Sequence, residues 1–77
     1  MQQVLVKFND VEQVRNFINI IDKIDMNFDL GLGNRVVDAK SVIGVFGLDL
    51  TKPQVLRYDS DDRRIMEKIT PFLASAE

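Results

Sequence analysis

Val4, Val6 and Phe8 alternate with Gln3, Leu5 and Lys7 at the head of the chain. This period of two, with β-branched and aromatic residues on one side, predicts a strand with one buried face. Asn9-Asp10 follows, and either side chain can cap a helix by accepting from its free N–H groups. Val11, Val14, Ile18 and Ile21 then recur at three-four-three spacing, widened by Phe17 and Ile24, with Glu12, Arg15, Asn16 and Lys23 off the stripe. That spacing predicts an amphipathic helix of about three turns. Met26, Phe28 and Leu30 alternate with Asn27 and Asp29 as a second strand. Gly31-Leu32-Gly33-Asn34 then supplies residues that tolerate positive φ, as a tight reversal demands, and Arg35-Val36-Val37-Asp38 is the return strand. A Gly-x-Gly also occurs in dinucleotide-binding loops, but there a helix follows the glycines. Here a strand does.

The second half opens on Lys40-Ser41, where Ser41 is placed to cap a short helix through Val42, Ile43, Val45 and Phe46. Val42, Ile43 and Phe46 fall at i, i+1 and i+4, with Val45 and Leu48 offset. So short a helix cannot bury all five, and an exposed apolar patch commonly marks a docking site. Thr51-Lys52-Pro53 is a break. Gln54 to Tyr58 reads as a fourth strand, with Leu56 and Tyr58 on the face opposite Val55. Asp59-Ser60-Asp61-Asp62 is a helix start, placing negative charge where the helix dipole favours it. Ile65, Ile69, Phe72 and Leu73 form the stripe of a last helix that Pro71 ends or kinks, and Ala74 to Glu77 reads as a frayed end. The order β-α-β-β-α-β-α predicts an α+β two-layer open-faced sandwich: a four-stranded antiparallel sheet with helices on one face. Gln3, Lys7, Asn27, Asp29 and Arg57 are expected to line the open face.

Seventy-seven residues allow a single domain over 1–77. A chain of this size buries roughly 60% of its unfolded surface, so its core is thin. There is no cysteine, which removes disulfides and thiolate metal sites and fits a reducing compartment. Met1 leads directly into the first strand pattern, and no apolar run approaches the roughly 20 residues that span a bilayer. A cytoplasmic chain without membrane contact is expected. The net charge of −2, with scattered basic residues, argues against nucleic acid.

The absence of histidine removes the side chain whose pKa lies nearest neutrality, any Ser-His dyad and any phosphohistidine chemistry. Asp59, Asp61 and Asp62 lack the glycine and the distant bidentate glutamate of a calcium loop. Asp10 and Glu12 lie two apart at a helix start and point to different sides, so capping explains both groups better than metal binding or acid-base work. No cofactor or metal is expected. Ser41 has a second reading beside capping: a phosphate there would meet free N–H groups and the positive end of the helix dipole.

Lys40-Ser41-Val42-Ile43-Gly44-Val45-Phe46-Gly47-Leu48 resembles the regulatory-serine segment of the HPr family of bacterial sugar phosphotransferase systems. The element order and the hairpin upstream of the motif are similar to that family as well. The resemblance implies that Ser41 is the site a dedicated kinase modifies. It also implies that Val42, Ile43 and Phe46 form the patch presented to a phosphotransferase-system enzyme or a transcription regulator. The family carries its phosphorylated histidine on a loop after the first strand, followed by an arginine. In this chain that loop is shorter, the histidine position falls near Asp10 and the arginine position near Glu12. A histidine phosphocarrier is therefore excluded, and the expected function is a non-enzymatic regulatory or protein-binding module docking through the Ser41 helix. Two alternatives stand beside it: a small self-associating structural sandwich, and a phosphoryl acceptor using Asp10.

Overall fold

The computed structural model describes residues 1–74. Four strands, β1 (Gln2–Val6), β2 (Phe28–Leu32), β3 (Arg35–Asp38) and β4 (Gln54–Tyr58), form one antiparallel sheet in the order β1-β4-β2-β3. Three helices, α1 (Val11–Asp22), α2 (Val42–Phe46) and α3 (Arg63–Ile69), complete an α+β fold, and a 3-10 turn covers Thr70–Phe72. The strand-helix order is the one the hydrophobic pattern predicts.

The register puts one apolar row straight across the inner face of the sheet. Val4 lies opposite Leu56, Leu56 opposite Leu30, and Leu30 opposite Val37. Phe28 and Tyr58 pair beside it, with ring centroids 5.4 Å apart. Onto this face α1 turns Val14, Phe17, Ile18 and Ile21, while α3 turns Ile65 and Ile69. One end of the core is closed by three rings, with Phe17 edge-on to Phe8 at 5.1 Å and to Phe72 at 5.3 Å. Edge-to-face contacts of this kind add to the burial energy because ring edges are positive and ring faces negative.

Several expectations are corrected in detail. β2 starts at Phe28 rather than Met26 and runs on to Leu32, so the reversal is Gly33-Asn34 alone, with positive φ at Gly33. Val11 stands mostly in solvent and outside the core stripe, as the first residue of the helix. Leu73 is not helical. Pro71 tightens the end of α3 into the 3-10 turn, after which Leu73 bridges to Val6. The Lys7 N–H donates to the Phe72 carbonyl and the Ala74 N–H to the Leu5 carbonyl, so Ala74 is tied down and the outer edge of β1 is covered there. The rest of the segment expected to fray, 75–77, lies outside the described residues. The open face is also less polar than expected. Gln3, Asp29 and Arg57 lie on it, together with Leu5, Val36 and Val55, whereas Lys7 and Asn27 fall outside the strands.

Asp62 caps α3, accepting from the Arg64 N–H at 3.0 Å, and the Arg64 guanidinium grips both its carboxylate oxygens. The side-chain bonds first, and then the backbone bond, pull its pKa from 3.8 down to about 2. A carboxylate depressed in the folded state stabilises it above the ordinary pKa, and that contribution fades as pH falls through about 2. The pair is exposed, so the contribution is small. A carbon-detected NMR titration should find Asp62 still ionised at pH 3, and Arg64→Ala should move its midpoint up toward 3.8.

Gly31 sets the hairpin. A Cβ at its position would lie 1.9 Å from the Arg35 carbonyl oxygen and 2.7 Å from the Val36 Cα, both backbone atoms that cannot give way. Gly31→Ala should cost about 3 kcal/mol or abolish folding, within the range for strain at a special backbone site, and urea unfolding measures it. A stability within 0.5 kcal/mol of the parent, roughly the surface-substitution range, would contradict this close approach.

Candidate docking site

The start of α1, the end of α2 and the loop after it meet at one place, while the start of α2 lies beside the middle of α1. Asp10 caps α1, its carboxylate accepting from the Gln13 N–H at 2.8 Å. Gln13 in turn accepts from the Asn9 N–H at 2.8 Å, a variant of the capping box in which the returning side chain reaches one residue before the cap. At α2 the Ser41 hydroxyl oxygen accepts from the Gly44 N–H at 3.2 Å.

Four devices hold the five-residue α2, which on propensity alone would not persist. Underneath, Ala39, Val45 and Leu48 are buried in the core. Gly44 lets the helix approach β3, since even a Cβ there would come within 3.3 Å of the Val37 side chain. At the helix end, Arg35 Nη2 donates to the Gly47 carbonyl at 2.8 Å, placing a cation on the negative pole of the dipole. Lys40 Nζ donates to the Ile24 carbonyl at 2.6 Å, tying the helix to the loop after α1.

The loop beyond α2 is pinned as well. Gln54, the buried polar residue among those described, donates from Nε2 to the Asp49 carbonyl at 2.7 Å. Asp49 accepts from the Thr51 hydroxyl at 2.5 Å and from the Thr51 N–H at 3.1 Å. Those two bonds, the hydroxyl first, hold its carboxyl below the usual range.

Between α1 and this loop runs an open groove of about 440 Å³. Phe8, Val14, Phe46 and Leu50 form its floor, Val11 stands at one side, and Lys7, Asn9, Asp10 and Thr51 form the rim. A second depression of about 240 Å³ lies along α1, lined by Arg15, Ile18, Asn19 and Val42. The residues expected at the site are thus drawn together only in part. Asp10 and Phe46 share the groove, Val42 lines the neighbouring depression, and Ile43 lines neither but projects furthest, 89% exposed. Val42 is 53% and Phe46 39% exposed, while Ser41 sits at the head of the helix with its side chain in solvent. The short helix buries the two offset residues, Val45 and Leu48, and leaves the other three outside.

Of the groove's lining, sequence reasoning placed only Asp10 and Phe46 at a site; it read Phe8, Val11 and Val14 as core, Asn9 as a cap and Lys7 as open face, and gave Leu50 and Thr51 no role. A signal was present for Val11, which directly follows the cap and so begins the helix before it reaches the sheet. Leu50 and Thr51 arrive through a loop and carry no periodicity.

Chemically the groove offers apolar floor and a rim bearing one cation, Lys7, and one carboxylate already occupied as a cap, Asp10. Among the described residues no group of three or more carboxylates is placed to hold a metal ion, and no helix is long and apolar enough to cross a membrane. The arrangement can hold apolar side chains of another molecule. Comparison of the chain with protein-family models, with curated proteins and with solved structures finds no match in any of the three.

The role of Asp10 is separable from chemistry. Asp10→Ala should lower stability by about 1 kcal/mol, the ordinary cost of an N-cap, while Asp10→Ser should recover most of it. Urea unfolding of the two variants decides. Equal losses in both would remove the capping role.

Proposed function

We propose that this domain is a non-catalytic binding module that takes an apolar segment of a partner protein along α1 and α2. The observation that carries the reading is the outward trio Val42, Ile43 and Phe46 on a braced helix, with Phe46 joining the groove that holds Phe8, Val14 and Leu50 and Val42 lining the second depression. A groove between a helix and a pinned loop suits an amphipathic helix, whose apolar side chains recur at i, i+3 or i+4.

We also propose kinship with the HPr family, supported by the β-α-β-β-α-β-α order and by the Lys40–Leu48 pattern. On that reading the partner is a phosphotransferase-system enzyme, a kinase or a transcription regulator. Phosphorylation of Ser41 would set a dianion at the head of the docking helix and alter recognition there. The chain has no histidine, so it receives no phosphoryl group by the family's carrier chemistry.

Selection of helical peptides from a displayed library against the folded chain tests the docking reading. The selected peptides should lose at least about tenfold in affinity, 1.4 kcal/mol, to Ile43→Asp, because an exposed anchor carries binding and not core packing. Thermal unfolding of that variant should stay within a few degrees of the parent, since surface substitutions change stability by about 0.5 kcal/mol or less. Peptides that bind Ile43→Asp and Phe46→Ser as tightly as the parent would remove the reading.

A further inference from the structure

On the face of the sheet away from the helices, the register aligns two rows. One runs Gln3, Arg57, Asp29, Asp38 across β1, β4, β2 and β3, and the other runs Leu5, Val55, Gly31, Val36. Leu5 is 50% and Val36 44% exposed, so the second row is a band of apolar surface interrupted by a glycine. The first row is electrostatically lopsided. Asp29 and Asp38 stand directly opposite each other, an arrangement of like charges that destabilises a strand pair. Neither is in an ion pair among the described residues, and only Asp38 has a bond from the protein, the Lys40 N–H at 2.9 Å. Next to Asp29, the Nη1 of Arg57 is shielded from solvent and has no hydrogen-bond partner.

We propose that this face packs against the same face of a second copy of the chain, about a two-fold axis that runs along the strands between β4 and β2. That axis keeps each row at its own level and reverses the strand order. β4 then lies on β2 of the other copy, and β1 on its β3. Arg57 meets Asp29 of the second copy beside Asp38, twice over by symmetry. Val55 meets the bare backbone of Gly31, and Leu5 meets Val36, each also twice. With its side chain turned outward, Arg57 reaches carboxylates of the second copy that are in no ion pair within their own chain among the described residues, and the branched Val55 side chain faces the position with none.

The other face-to-face two-fold, with its axis across the strands, gives no such match. Placed on the charged row, it sets Arg57 on Arg57 and Asp29 on Asp29. Placed between the rows, it sets Arg57 on Val55 and Asp29 on Gly31. Aligned sheets pack with their strands about 30° apart, which displaces the rows least at the central strands, where the charge match lies. Four short strands spaced at about 4.8 Å offer an interface near the lower end of specific ones, so the dimer is weak and dependent on concentration. It leaves the α1–α2 groove of each copy free, so its test is independent of the docking reading.

Sedimentation equilibrium of the full chain should show the mass rising from 8.8 kDa toward twice that value as concentration increases into the millimolar range, about where weak contacts saturate. Arg57→Glu and Asp29→Arg should each give a monomer, because each sets like charges against each other. Mixed in equal amounts they should associate, because both cross-pairs then become opposite in sign. Circular dichroism establishes that each variant is folded. Should one of them not fold, Leu5→Lys, on the same face and already half in solvent, should abolish association in its place. On dilution of the parent, amide shifts should move at Leu5, Asp29, Val36, Val55 and Arg57. A parent that stays at 8.8 kDa throughout overturns the proposal, as does a mixture no heavier than its components. Association removed by Ile43→Asp and untouched by Arg57→Glu also overturns it.

Discussion

Leu56 is fully buried between Val4 on one flank and Leu30 on the other, and the rest of the molecule is arranged around that contact. It makes β4, the last strand in the chain, the centre of the sheet. Because β4 joins β1 to the β2–β3 hairpin, the inner face becomes one continuous apolar surface and not two narrow ribbons. Two-stranded ribbons are marginal in water, and a third and fourth strand bring the face to a width that helices can cover. Phe17, reaching down from α1, then finds Phe8 and Phe72 already converging on the same end.

The supply of buried surface explains why α2 differs from its neighbours. α1 and α3 span most of the inner face, so the five residues of α2 find room for Val45 and little else of their own. Leaving Val42, Ile43 and Phe46 outside is therefore a geometric result of covering a narrow sheet with three helices. A helix so poorly buried would fray without external bonds. The Arg35 and Lys40 side chains provide them from β3 and from the helix's own approach. The same residues that keep α2 folded thus keep the apolar trio in a defined position.

Local pattern carried most of the secondary structure. The alternation of Phe28 and Leu30 and the stripe of Val14, Ile18 and Ile21 report faces that are buried all along their length. Pattern failed where burial depends on distant chain. Val11 is spaced like a core residue, yet it begins α1 and lines the open groove. The period of two set Leu5 on the outer face with Gln3, but in Arg35-Val36-Val37-Asp38 nothing local tells which of the two valines faces outward, and the apolar row they complete with Val55 forms only across strands. The groove was legible only as fragments: Asp10 and Phe46 are separated in sequence by α1, β2, β3 and most of α2, and become neighbours only in the folded chain. Nothing in the pattern marks Arg35 and Lys40 as braces, because their acceptors, the Gly47 and Ile24 carbonyls, are set by tertiary structure.

The bridge between Val6 and Leu73 has a consequence for how the chain is made. β1 is held by β4 on one side and, at its far end, by the Phe72–Ala74 segment on the other. Both partners are synthesised long after it. During translation the first strand and Phe8 therefore remain without their native partners until almost the whole described chain has left the ribosome. Contacts between such distant segments demand loop closure before they reward it, which slows folding and leaves apolar strand exposed meanwhile. The α1 helix and the β2–β3 hairpin are complete much earlier and need only local contacts. They are the natural seed, and the strand made first is among the last to be locked in place.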